Sequence, residues 1–174
     1  TRVSAWEKKA ATDYYLSGLG PDAMYKDMTE MIEENPEHLE RLRERDNIGV
    51  LDFNESYISR LKNREMLGDA LIRVMDEFQL DALVHPFKTL PATKIVDGWS
   101  NSEGDNALSS QTGFPGLLVP AGFTSKNLPI ALEFLGRPFS EPTLIKLASG
   151  YEAVSKNRKL PETTPPLNGE VITY

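Results

Sequence analysis

Gly116-Leu-Leu-Val-Pro120 and Ile130-Ala-Leu-Glu-Phe-Leu-Gly136 are short apolar runs bounded by glycine or proline, and Asp81-Ala-Leu-Val-His-Pro86 is a third. Each has the length and punctuation of a β-strand. The runs at 81 and 116 lack clean apolar and polar alternation, which suits strands covered on both faces in an α/β sheet. Ahead of the second run, Gln111-Thr-Gly-Phe-Pro115 places Gly113 and Pro115 where the chain must turn tightly, and such a turn is expected to present backbone amides.

Working outward, the residues after the third run predict a helix with Ser140 as N-cap and Pro142 in its first turn. It would bury Leu144, Leu147, Ala148, Tyr151 and Val154 and end near the basic Lys156, Arg158 and Lys159, before Pro161 stops it. Ahead of the first run, a long helix is expected from an Asn54 N-cap to Phe78. Tyr57, Leu61, Arg64, Gly68, Leu71, Ile72, Met75 and Phe78 recur on one face of it at intervals of three or four. Gly68 on that stripe costs up to about 1 kcal/mol relative to alanine, so another backbone is expected to approach there. Arg64 either lays an aliphatic stem along the stripe with its head in water or pairs with a buried carboxylate. Residues 6–16, 23–33 and 36–45 read as shorter helices forming a charged outer layer. Three strands with helices amount at most to part of a doubly wound sheet, which leaves two edges to be covered.

Composition agrees with this division. Residues 1–80 hold 2 of the 12 prolines and 17 acidic against 11 basic side chains, whereas 81–174 hold 10 prolines and 9 acidic against 8 basic. The first part is therefore expected to be mainly helical and the second to carry strands, turns and irregular backbone. Across 174 residues, 40% hydrophobic and 26% charged content fits a globular domain. Such a length, if it is a complete domain, buries about 70% of its unfolded surface. The absence of cysteine removes disulfides, a thiolate nucleophile and Cys-ligated zinc, and the net charge of −7 disfavours nucleic acid as a partner. No apolar run approaches the roughly 20 residues that span a bilayer, so a membrane is not an expected partner. The compartment stays open, with the cytoplasm favoured.

Chemistry-bearing motifs are sparse. The sequence has no Gly-x-Ser-x-Gly elbow, no phosphate-binding Gly-rich loop and no His-Glu-x-x-His helix. His38, among Glu-Asn-Pro-Glu-His-Leu-Glu-Arg, reads as a solvated surface residue. His85, near the end of a predicted strand where α/β folds gather ligands, reads as a structural histidine in preference to a general base. Glu133 alternates with Leu132 and Phe134, which places it on a solvated or partner-facing side. Ser109 and Ser110 read as a loop pair without an activating lysine. The roughly 30 residues between the first two strands lack periodicity and include Asp97-Gly-Trp-Ser-Asn-Ser-Glu-Gly-Asp-Asn106. Loops of that length are usually functional or disordered. Trp99 there is either a loop anchor or an aromatic that touches substrate. Phe87, Trp99, Gln111 and Thr112 lie around strand ends and the irregular loop, where α/β folds form ligand crevices, and are the expected substrate-binding residues.

Asn106-Ala-Leu-Ser-Ser-Gln-Thr-Gly-Phe-Pro-Gly-Leu-Leu-Val-Pro-Ala-Gly-Phe-Thr124 and Leu128-Pro-Ile-Ala-Leu-Glu-Phe-Leu-Gly-Arg-Pro-Phe-Ser-Glu-Pro-Thr-Leu144 resemble the C-terminal part of amidase signature enzymes. The long helix with an Arg near its middle, Leu80-Asp-Ala-Leu-Val-His-Pro86 and Leu90-Pro-Ala92 fit the pattern that precedes these segments. Glu7 to Ile32 resembles the segment upstream of that helix, so the resemblance covers nearly the whole chain. It implies a fold that is the C-terminal portion of a mixed α/β sheet flanked by helices. The function it implies is hydrolysis of amide C–N bonds through an acyl-enzyme, with a Ser nucleophile, a second Ser in a cis peptide and a Lys. Those residues belong to the family's N-terminal half and have no counterpart among these 174, so no catalytic residue, metal or cofactor is expected in this chain. The implied partners are a small-molecule amide and the N-terminal half of the domain, with self-association where an apolar edge is left open. One departure bears on the pocket: the family often has Pro-Thr after the first of these strands, where this sequence has His85-Pro86-Phe87. The alternative is an independent noncatalytic module that binds a ligand or protein through the long loop.

Overall fold

The computed structural model describes residues 3–21, 23–39, 42–43, 53–92, 94, 107–160, 167 and 169. Trp99, the 97–106 segment, the 161–166 tail and the His38 side chain lie outside them. The chain divides into two compact units, Thr1–Ala70 and Leu71–Tyr174, with the division falling inside a long helix.

In the first unit, α1 (Ser4–Ser17), α2 (Met28–Glu34) and α3 (Pro36–Leu39) precede α4 (Glu55–Glu77). Met28, Ile32 and Leu42 form a buried cluster, with Met31 and Leu39 packed against it. These helices therefore own a small core and are more than the charged outer layer expected from composition. Polar bonds order them: Asp27 caps α2 by accepting from the Glu30 amide at 2.9 Å, and Asp13 of α1 accepts the Met28 amide at 2.8 Å. The N-terminal half of α4 joins the same unit. Its Asn54 cap accepts the Tyr57 amide at 3.0 Å, the Tyr57 hydroxyl donates to Glu7 Oε1 at 3.0 Å, and the Arg60 guanidinium lies 4.3 Å from the Trp6 ring centre.

The second unit holds β1 (Ala82–Pro86), α5 (Leu108–Thr112), β2 (Gly116–Phe123), β3 (Pro129–Gly136) and α6 (Glu141–Ser155). All three predicted strands form one sheet in the order β1-β3-β2. Both pairings are antiparallel, with Val84 opposite Phe134 in the first and Leu117 opposite Phe134 in the second. The structure thus supplies a mixed α/β arrangement around an antiparallel sheet, and the doubly wound pattern suggested by apolar strands is not what these three strands form among themselves. The reason is local. Asn127 adopts φ 59° and the Thr124 and Leu128 backbones bond across a short turn at 2.8 Å, so β2 returns at once as β3 with no crossover helix.

One face of this sheet packs on α6. Val119, Phe134, Leu144 and Ala148 form its core, with Ala82, Leu117, Leu132, Leu147 and Tyr151 partly buried around them. Tyr151 meets the Phe134 ring edge-on at 6.0 Å. Val154, expected inside, is 85% exposed, because the covered stripe of the helix runs through Leu144, Ala148, Tyr151 and Ser155 and leaves Val154 beside it. Ser140 does sit at the N-cap, but its hydroxyl donates back to the Arg137 carbonyl at 2.7 Å and bonds no helix amide. The end of α4 is tied in by Arg137, whose guanidinium binds Asp76 and donates to the Leu80 carbonyl. Met75 is fully buried, whereas Phe78 lies one residue past the helix and is 63% exposed.

The junction between β3 and α6 is tight. A Cβ at Gly136 would run into Ser140 Oγ and stand 3.0 Å from both Cγ and Cδ1 of Leu144. Overpacking of this kind costs about 1–3 kcal/mol, so Gly136→Ala should lower the urea midpoint of this unit by a corresponding amount. An unchanged midpoint would show that the turn yields freely.

Candidate functional site

Strand alternation sends Leu83 and His85 of β1, Glu133 and Leu135 of β3, and Gly116 and Leu118 of β2 to the face opposite α6. The register places His85 beside Glu133, and Glu133 beside Leu118. Glu133 is 3% exposed, so of the solvated or partner-facing side expected for it, the solvated reading does not hold. The physical reason is cross-strand pairing: His85 Nε2 stands 3.5 Å from Glu133 Oε2, and both side chains are largely covered. At that distance the two side chains face one another without hydrogen-bond geometry, and no hydrogen bond reaches Glu133 Oε2 among the described residues. Burial pushes the Glu133 carboxyl above the ordinary value of 4.5, and the facing His85 opposes that rise. On its other side the ring Nδ1 lies 3.3 Å from the Pro86 carbonyl.

Gly116 makes room for this carboxylate. A Cβ there would collide with Glu133 Oε1 and stand 3.2 Å from Ser109 Oγ and Cβ. Ser109 therefore faces the same seat, carried by α5. The serine pair lies on a short helix instead of in a loop, and its hydroxyls are committed locally: Ser109 donates to the Phe114 carbonyl at 2.8 Å and Ser110 to Ala107 at 3.2 Å. The turn after α5 also spends the amides it was expected to present. Gly113, at φ 75°, closes the helix by donating to Ser109 at 2.8 Å, and the Phe114 amide donates to Thr112 Oγ1 at 3.2 Å. Phe114 is buried, which anchors the turn.

Of the four residues predicted to bind substrate, three are described. Phe87 follows β1, is half-buried, and donates its amide to the Ala131 carbonyl at 3.1 Å, extending the β1–β3 register past the strand end. Gln111 and Thr112 are half-buried in α5, and Thr112 Oγ1 donates to Leu108 at 2.7 Å while accepting from Phe114. Trp99 lies outside the described residues. A separate groove of about 670 Å³ runs along the far end of the β2–β3 hairpin, lined by Leu118, Phe123, Ile130, Arg158 and Lys159 among others, with Lys159 4.8 Å over the Phe123 ring. Phe87, Gln111 and Thr112 take no part in it. The Glu133 seat was the feature that sequence reasoning missed, and the His85–Glu133 match across paired strands is the signal that held it. Among the described residues no cluster of three or more metal-ligating side chains occurs, and no helix is long and apolar enough to cross a membrane.

Comparison with known proteins places this arrangement. The chain is 33% identical over 106 residues to one component of the glutamyl-tRNA(Gln) amidotransferase of Myxococcus xanthus, a match covering 58% of this chain and 21% of that protein. It is 29% identical over 112 residues to the mandelamide hydrolase of Pseudomonas putida, covering 60% of this chain and 22% of that one. The crystal structure of native peptide amidase from Stenotrophomonas maltophilia superposes with a TM-score of 0.74 at 27% identity, over 89% of this chain and 33% of that one. The homologues of this chain are amidase-family proteins. No protein-family model matches the chain. This bears out the likeness to the C-terminal part of amidase signature enzymes and the α/β class, and the structural neighbours are themselves amidase signature enzymes. The chain spans about a fifth to a quarter of the length of the curated amidase relatives that it matches.

Proposed function

We propose that this chain is the C-terminal, pocket-shaping part of an amidase signature hydrolase that cleaves amide C–N bonds. In this reading residues 1–174 are one portion of an amidase domain, helical over 1–80 and carrying the strands, long loop and final helix over 81–174. A Ser, cis-Ser and Lys on the N-terminal half of the domain form and resolve the acyl-enzyme. The present chain contributes the wall: Phe87, Trp99, Gln111 and Thr112 select the acyl group. Its partners are that N-terminal half and a small-molecule amide, and two copies associate when the half is missing, since Leu118 and Ile130 are 47% and 38% exposed. The observation that carries the reading is the superposition of 89% of this chain on peptide amidase. The local chemistry supports it as well, because the Ser109 and Ser110 hydroxyls are bonded to backbone carbonyls, and a serine without an oriented base is a weak nucleophile.

The test has two arms. The chain alone, offered a panel of aryl amides and esters, should show no saturable turnover. Turnover abolished by Ser109→Ala or His85→Ala would overturn this reading. The protein expressed from its whole reading frame should hydrolyse amides. A frame that encodes no further amidase sequence would instead favour a noncatalytic module.

A further inference from the structure

We propose that His85 and Glu133 form an acid-tightened clasp between β1 and β3, seated in the space left by Gly116. In it Glu133 is the positioning residue that holds the end of β1, and with it Phe87, against β3. The clasp stands on the geometry of the sheet, and its consequence for substrate rests on the amidase reading.

Three features assemble it. His85 and Glu133 are directly opposed in the β1–β3 register, with their side chains on one face and 3.5 Å apart. The carboxylate lies over β2 where only a glycine leaves room, and Ser109 of α5 closes that seat. Two residues beyond Glu133 in the pairing, the Phe87 amide bonds the Ala131 carbonyl and ties the β1 end to β3. An open clasp therefore acts next on the residue proposed to meet substrate.

The acid dependence follows from the seat. A buried carboxylate with no hydrogen bond to Oε2 carries a desolvation cost. A proton on Glu133 removes the buried charge, so the clasp tightens as pH falls. Across the β1–β3 pairing the titratable groups that face one another are His85 and Glu133. Gly116 and Leu118 from β2 and Ser109 from α5 carry no group that titrates in this range, and α6 lies on the other face.

Hydrogen exchange of the Phe87 amide, expressed as a protection factor between about pH 4 and 8, tests this on the chain as it stands. Protection should fall as pH rises from 4.5 through the raised value of folded Glu133, by roughly tenfold for each pH unit that separates the closed and open carboxyl. Glu133→Gln should abolish the fall. His85→Gln should steepen it, because the ring that opposes the rise of the Glu133 carboxyl is then gone. Gly116→Ala, which displaces the carboxylate, should flatten it, and if that variant does not fold the first two still decide. A merely structural pair would lower protection equally at every pH in both. Identical pH dependence in wild type, Glu133→Gln and His85→Gln would overturn the clasp and leave the amidase reading intact. In the complete enzyme, acyl-group preference should shift with pH, and Glu133→Gln should abolish that shift. No shift there, in an enzyme whose preference Phe87→Ala does alter, would overturn the positioning role alone.

Discussion

Leu144→Ala should destabilise the 71–174 unit by about 2–5 kcal/mol, the cost of opening a cavity at a filled core position. Leu144 is 1% exposed and sits between the β3–α6 junction and the sheet, in the cluster with Val119, Phe134 and Ala148. Its Cγ and Cδ1 are also the atoms that crowd Gly136. Two consequences can be read from urea unfolding monitored at the sheet. Val154→Ala on the same helix should change stability by no more than about 0.5 kcal/mol, since that side chain is 85% exposed. Gly136→Ala should cost less in a Leu144→Ala background than alone, a non-additivity expected of residues in contact. A loss below about 1 kcal/mol for Leu144→Ala would mean that α6 is not the helix that stabilises the sheet.

Phe87→Ala in the complete enzyme should change the ratio of kcat/KM between bulky and small acyl groups by about 10-fold or more, the range that one lost apolar contact in a pocket gives. Its amide tie to Ala131 holds the backbone in register with β3, so truncating the ring removes contact area without releasing the strand end. Gln111→Ala and Thr112→Ala should differ from it. Thr112 Oγ1 bonds both Leu108 and Phe114 inside α5 and its turn, so its loss is expected to lower stability along with selectivity. Kinetics on several acyl donors separate these effects, because selection requires different changes for competing transition states. Equal losses for every substrate would remove Phe87 from the pocket wall.

The strands were legible because each is a short apolar run stopped by Gly or Pro, and the α4 cap was legible because Asn54 precedes a helical repeat. The burial of Glu133 was not legible, for a reason that single-strand patterns cannot avoid. Alternation says that Glu133 and Phe134 point to opposite faces, and it is silent about what waits on each. The same limit applies to Ser109 and Gly113, whose turn reads as open amides until α5 is seen to use them.

Sequence alone determined the three strands, the long helix with its Asn54 cap, the final helix and the likeness to the amidase signature family, since these depend on residues near one another along the chain. Tertiary structure decided the antiparallel order β1-β3-β2, the core of the first unit and the burial of Glu133 beside His85. Each of these depends on which distant residues become neighbours. A carboxylate is exposed or buried by its neighbours, and here the missing Cβ of Gly116 and a histidine on another strand make the burial tolerable.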